Sequence, residues 1–109
     1  MAINVTFIQP QLSGFPGNIV QVSKIEGEGV VALVNKQDGM EVGGKILLQL
    51  GGYLPVIHII DEASRQSILL GKAYFSRNVG ETIPLEYSAY NVQGDHVGNS
   101  AVAQVKIEP

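Results

Sequence analysis

The stretch Thr82–Tyr90 reads TIPLEYSAY, and its side chains change character at every second position. Apolar side chains occupy the odd positions, and polar side chains or proline occupy the even ones: Ile83, Leu85, Tyr87 and Ala89 against Thr82, Pro84, Glu86 and Ser88. Successive side chains of a β-strand point to opposite faces. The pattern therefore predicts a strand with one buried face.

The same alternation recurs on both sides of this stretch. Lys45–Leu50 places Ile46, Leu48 and Leu50 on one face, and residues 101–107 do the same with Ala101, Ala103, Val105 and Ile107. Residues 3–8 predict the first strand, and they carry no charge. Because an uncharged strand edge invites another strand, we expect this segment to pair within a sheet or to mediate self-association.

Four further segments are predicted to be strands: residues 19–25, 30–34, 53–60 and 67–75. The nearly all-aliphatic run at 30–34 is typical of a central strand. Pro55 cannot donate a ladder hydrogen bond, so the third of these strands begins after it or lies at a sheet edge.

The connecting segments are predicted to be turns. The chain contains 13 glycines and 5 prolines, spread as expected for many short strands. Met40 is expected to fold the loop at 35–45 onto the core. Residues 61–66 (DEASRQ) are read as one helical turn at most, and residues 91–99 (NVQGDHVGN) as a polar loop.

Seven to nine strands in 109 residues have two faces to bury. The standard solution is two sheets packed together. We therefore predict an all-β fold, an immunoglobulin-like antiparallel β-sandwich that forms a single domain over residues 1–109.

Composition narrows the classes of function. The net charge is -3, and the seven Lys and Arg residues are scattered, whereas a nucleic-acid binder needs clustered cations. No run approaches the roughly 18 apolar residues of a membrane-spanning helix. The chain has no Cys and begins without the pattern of a signal peptide. The compartment stays open, with the cell surface or secretion expected if the chain is part of a larger exported protein.

Three segments resemble a known family. DGMEVGGKILLQLGGY at 38–53, NVGETIPLEYSAY at 78–90 and NSAVAQVKIEP at 99–109 are similar to the bacterial immunoglobulin-like repeats of adhesin-type surface proteins. The chain departs from that pattern at Gly44, where the family often has Asp, and at Leu50, where an aromatic residue is common. The resemblance implies a structural or adhesive interaction module without catalytic residues.

The residues themselves also argue against an enzyme. Only two histidines are present as candidate His bases, and His58 is read as an ordinary strand residue pointing away from Ile57 and Ile59. His96 is read as part of a solvated loop. The pairs Asp95-His96 and Asp61-Glu62 supply too few ligands for zinc or calcium, so we expect neither a metal nor a cofactor.

Tyrosines supply the candidate binding surface, because aromatic faces add contact area at little entropic cost. Tyr87 is expected in the core, whereas Tyr53 and Tyr74 stand next to turns and are predicted to lie at the surface. Together with Asp95 and His96 they form the candidate binding set for a protein or glycan surface.

Three functions follow from these patterns. The leading hypothesis is a non-enzymatic structural or adhesive module of a bacterial surface or secreted protein. The second is a carbohydrate-binding module, and the third is a subunit of a self-assembling phage or secretion-apparatus particle.

Overall fold

The computed structural model describes residues 5–109. In this part of the chain it contains ten β-strands, one short α-helix and two single turns of 3₁₀ helix, at Pro16–Asn18 and Val22–Lys24. The strands are β1 (Val5–Phe7), β2 (Gln11–Leu12), β3 (Ile19–Gln21), β4 (Gly29–Asn35), β5 (Lys45–Leu50), β6 (Val56–Ile59), β7 (Arg65–Gly71), β8 (Thr82–Tyr90), β9 (His96–Ser100) and β10 (Ala103–Glu108). The helix is α1 (Lys72–Ser76). The chain is an all-β fold in two sheets.

The larger sheet is built around β8. β5 pairs with one edge of β8, and β6 pairs with the far edge of β5. The other edge of β8 is shared by β10, which pairs near Thr82, and β9, which pairs near Tyr90. β1 then adds to β9 and β3 adds to β10, both in parallel.

The smaller sheet has the order β2-β4-β7, so β4 is its central strand. Its longest pairing is antiparallel and runs from Gly29 opposite Gly71 to Asn35 opposite Arg65. The beginning of the chain is divided between the sheets, because β1 and β3 lie in the larger one and β2 in the smaller one.

The two sheets share one apolar core. The inward positions of β4 and β7 meet those of β5, β8 and β10 in one cluster: Val30, Ala32, Val34, Ile68, Leu70, Ile46, Leu48, Leu85, Tyr87, Val105 and Ile107. Burial of these side chains is the main favourable contribution to folding, at about 25 cal/mol per Å² of apolar surface.

Several sequence predictions are confirmed. Met40 is buried beneath its loop, and Tyr87 lies in the core. β6 begins after Pro55 and pairs only with β5 among the described strands. His58 and its neighbours Ile57 and Ile59 point to opposite faces, with both isoleucines exposed.

The prediction for residues 67–75 is wrong beyond Gly71. The strand ends there and α1 follows, and the Lys72 amide at the start of α1 donates a 2.9 Å hydrogen bond to the carbonyl of Glu28. Phe75, fully buried, then closes one end of the core. Residues 61–66 do not form a helical turn: the Asp61 carboxylate accepts a hydrogen bond from the Ala63 amide and bends the chain instead.

The late polar segment was also misassigned. Residues 96–100 are strand β9, so His96 is an exposed strand residue and not part of a loop. The inward positions of β9 are Gly98 and Ser100, which give no apolar signal. Ala101 is exposed, because the chain steps from β9 to β10 at this point.

Strand count and direction differ from the prediction as well. Residues 5–109 form ten strands where seven to nine were expected for the chain, and two of the pairings between these strands are parallel. The predicted second strand, residues 19–25, stops at Gln21 and continues as a 3₁₀ turn. In the first predicted strand, residues 5–7 pair within the sheet, and residues 3 and 4 lie outside the described residues.

Strand directions define two ends of the molecule, whose extents are 45 × 24 × 22 Å. We call the end with the β4–β5 loop, the β8–β9 turn and the start of β1 the entry end. The exit end carries the β5–β6 loop, α1 and the last residue of β10. Over residues 5–109, no helix has the length and apolarity needed to span a membrane.

Candidate binding site

Tyr53 and Tyr74 meet at the exit end. β5 ends at Leu50, and a turn whose Gly51 has φ +55° brings Tyr53 over the end of the core. α1 carries Tyr74 to the same place from the other sheet. The ring centroids lie 4.9 Å apart at an interplanar angle of 80°, an edge-to-face contact that aromatic pairs favour.

The side chain of Asn78 holds this pair. Its Nδ2 donates to the Tyr53 hydroxyl at 2.9 Å and to the Tyr74 carbonyl at 2.6 Å. Sequence reasoning missed Asn78, because nothing in the sequence around it distinguishes it from any asparagine in a connecting segment. The Tyr53 hydroxyl accepts the hydrogen bond from Asn78, so its own O–H group can donate a hydrogen bond to a ligand.

A shallow groove of about 380 Å³ lies beside the pair. It is lined by Tyr53, Leu54, Gly71, Ala73, Tyr74 and Arg77. Leu54 is 88% exposed, the most exposed of the large apolar side chains in the described part of the chain. Among the lining residues that the structure describes, Arg77 is the only cation and there is no carboxylate, so the groove suits an apolar contact bearing a negative charge.

Asp95 and His96 lie at the other end of β8, so the structure does not bring them to the tyrosines. Asp95 closes the β8–β9 turn, where its amide donates to Asn91 Oδ1 at 2.8 Å. His96 Nε2 lies 2.9 Å from Asn99 Oδ1, and its ring contacts Tyr90. Among the described residues, no three His, Cys, Asp or Glu side chains are grouped as metal ligands.

A buried polar cluster joins the two sheets near the entry end. Gln66 is fully buried; its Oε1 accepts from the Asp61 amide at 3.0 Å and lies 2.7 Å from His58 Nε2. Its Nε2 donates to Asp61 Oδ1 and to the Ala63 carbonyl. The Ala63 amide and then the Gln66 side chain lower the pKa of Asp61. All the bonding capacity of Gln66 is used internally, so this cluster is structural.

A larger groove of about 620 Å³ lies beside the turn at residues 14–17. Its two charged lining residues, Lys24 and Glu26, have opposite signs, and its aromatic ring, Phe15, is buried. This groove therefore presents neither an aromatic face nor a net charge to a ligand.

Comparison of the chain with models of protein families, with curated proteins and with solved structures found no match. The geometry of the exit-end groove is thus the main guide to function.

Proposed function

We propose that this chain is a non-enzymatic interaction module with an immunoglobulin-like β-sandwich, of the structural or adhesive kind, and that it contacts its partner through the Tyr53–Tyr74 groove. One observation carries the proposal. Tyr53 and Tyr74, which are 21 residues apart in sequence, are held in edge-to-face contact beside the highly exposed side chain of Leu54. Aromatic anchors in a shallow apolar depression are typical of the energetically dominant part of an interface.

The strand pairings support the immunoglobulin-like architecture. In that fold the first, second and fifth strands (A, B and E) share one sheet, and the third, sixth and seventh (C, F and G) share the other. Here β2, β4 and β7 correspond to A, B and E. β5, β8 and the β9–β10 pair correspond to C, F and G, and β6 lies outside β5 as an added edge strand.

Strand direction supports a module that works in series with others. β1 runs away from the entry end and β10 runs toward the exit end, so the first and last strands point in the same direction along the sheet. Modules joined in this way form a line, as adhesive and spacer modules of surface proteins require.

The environments of the histidines support a non-enzymatic role. A hydrolytic site places a base beside a nucleophile. His58 lies against Gln66, and His96 lies against Asn99, and both partners are amides.

The proposal can be tested by screening the purified chain against a glycan array, a random-peptide display library and the chain itself. We expect binding that is lost in Tyr53→Ala and in Leu54→Ser. Leu69→Ser is the control, because Leu69 is also an exposed leucine but lies on the outer face of β7. Binding to none of the three probes, or binding that survives both groove substitutions, would contradict the proposal.

Carbohydrate binding is the second candidate function, favoured by the combination of the tyrosine pair with the Arg77 guanidinium at one groove. Sugars pack their C–H faces on aromatic rings and use such polar groups for orientation. Glycans retained by the wild-type chain and lost by Tyr53→Ala would support it. A silent glycan array would count against it.

A further inference from the structure

The exit-end groove is an apolar depression with one cation. Tyr53, Leu54 and Tyr74 form its apolar part, and Arg77 its charge. Among residues 5–109 the one salt bridge joins Lys106 to Glu108, so Arg77 forms no salt bridge with a described carboxylate. A partner that fits this groove presents a small apolar projection with an acidic side chain beside it.

The entry end of the same molecule presents such an apolar projection beside acidic side chains. Val42 is 50% exposed and Val92 is 58% exposed, on two loops that touch each other. The Glu41 carboxylate accepts a 2.7 Å hydrogen bond from the Val92 amide and ties the loops together. We call Val42 and Val92 the valine knob.

Charge at the entry end complements the groove. Its loops and strand ends carry five carboxylates, at Asp38, Glu41, Asp61, Glu62 and Asp95, against three cations, at Lys36, Lys45 and Arg65. Asp95 follows the knob in the same turn, and its Oδ2 is 3.4 Å from the Asn91 side-chain amide. An acidic surface of this kind is attracted by an unpaired guanidinium.

We propose that the partner of the groove is a second copy of this chain, whose valine knob seats against Tyr53 and Leu54 while its Asp95 side faces Arg77. The proposal rests on the proposed function, since it takes the groove to be a contact site. The groove and the knob are different surfaces, so the contact is head-to-tail. When two copies join, one copy keeps a free knob and the other keeps a free groove. Repetition of the contact produces a line of copies along the long axis.

The contact is small. It joins the two valines of the knob to Tyr53 and Leu54 of the groove, so we expect it to bury less than the roughly 800 Å² per partner of a standard interface. We therefore expect a dissociation constant on the order of 0.1 mM between free chains. Copies joined in one polypeptide or held in an array would associate more completely, because tethering supplies an effective concentration of about 1 mM.

Sedimentation velocity of the full chain from about 10 µM to about 1 mM, spanning the expected dissociation constant, is the test. We expect the weight-average sedimentation coefficient to rise with concentration. Leu54→Asp blocks the groove and Val92→Asp blocks the knob, so each variant alone should remain monomeric. An equimolar mixture of the two should form dimers and nothing larger, because each variant keeps one competent end.

Leu69→Asp is the matched control and should associate like the wild type, and circular dichroism should find all variants folded because the substituted side chains are exposed. A wild-type chain that stays monomeric at 1 mM would overturn the proposal. So would a mixture that forms no dimers. Loss of association in Ile57→Lys but not in Leu54→Asp would point instead to pairing of β6 edges.

The two proposals fail separately. If the wild type is monomeric at 1 mM but glycan or peptide binding is still lost in Tyr53→Ala, the second copy is not the partner and the proposed function stands. If the groove substitutions change neither association nor binding, both proposals fall.

Discussion

The hydroxyl of Tyr87 donates a 2.7 Å hydrogen bond to the backbone carbonyl of Ile8, 79 residues away in sequence. The same oxygen accepts a 2.9 Å hydrogen bond from Nε2 of Gln37. The Oε1 atom of Gln37 in turn accepts a hydrogen bond from the Ile8 backbone amide. The phenol therefore fastens the segment after β1 and the β4–β5 loop to the central strand of the larger sheet.

Tyr87→Phe removes this hydroxyl and keeps the ring in the core, where it packs on Phe7. We expect the free energy of unfolding to fall by about 1–3 kcal/mol, because the Ile8 carbonyl and the Gln37 amide lose a partner. Urea denaturation measures the change. An unchanged midpoint would mean that water replaces the hydroxyl at no cost.

Alkaline pH should act through the same group. Burial raises the pKa of Tyr87, and the hydrogen bond from Gln37 lowers it by less. The folded-state pKa thus lies above the unfolded value of about 10, so this contribution to stability is fully present below about pH 10 and is lost as pH rises through the folded-state pKa. Unfolding free energies measured from pH 8 to 11 should fall less steeply for Tyr87→Phe than for the wild type. Parallel curves would contradict this assignment.

Gln66→Leu should destabilise the fold by about 2–3 kcal/mol, because it leaves the Asp61 amide and the Ala63 carbonyl without their buried partner. Gln49→Leu is the control, since Gln49 is half-buried on the outer face of β5 and its side chain makes one bond, to the Gly51 carbonyl. Thermal unfolding followed by circular dichroism compares the two. Equal melting temperatures would show that the cluster contributes little.

Gly29→Ala should lower the free energy of unfolding by about 1–3 kcal/mol, because the added methyl group overpacks its site. A Cβ at this position would collide with the Leu70 carbonyl oxygen across the β4–β7 pair, and a backbone atom cannot move aside without disturbing the ladder. Gly52→Ala is the matched control, because nothing lies within 4 Å of its Cβ position and its φ is not in the left-handed region. Similar urea midpoints for both variants would contradict the prediction.

Much of the fold was predictable where apolar side chains alternate. The alternating pattern predicts the buried faces of Lys45–Leu50 and Thr82–Tyr90 directly. Both segments are strands with those faces inward, except that Ile83 is only half-buried. β9 was not predictable, because its buried positions are Gly98 and Ser100, which carry no apolar signal. The parallel pairings of β1 and β3 depend on which sheet each short segment joins. The local sequence pattern does not indicate the sheet that a short strand joins.

The candidate site was half predictable. Tyr53 and Tyr74 are each predicted at the surface because each stands beside a turn; both are half-buried, and Tyr74 also packs against the core. Their contact arises only because the β5–β6 loop and α1 lie at the same end of two different sheets. Asp95 and His96 were grouped with them by chemistry alone, and the length of β8 separates them.

The opposed ends of the fold have a mechanical consequence. Tension applied between β1 and β10 pulls along the strand axes, while the hydrogen bonds that join β1 to β9 and β10 to β8 lie across that direction. These bonds are loaded together in shear and do not peel open one by one. Stretching of single molecules should therefore give one abrupt rupture, and a gradual extension at low force would contradict this geometry.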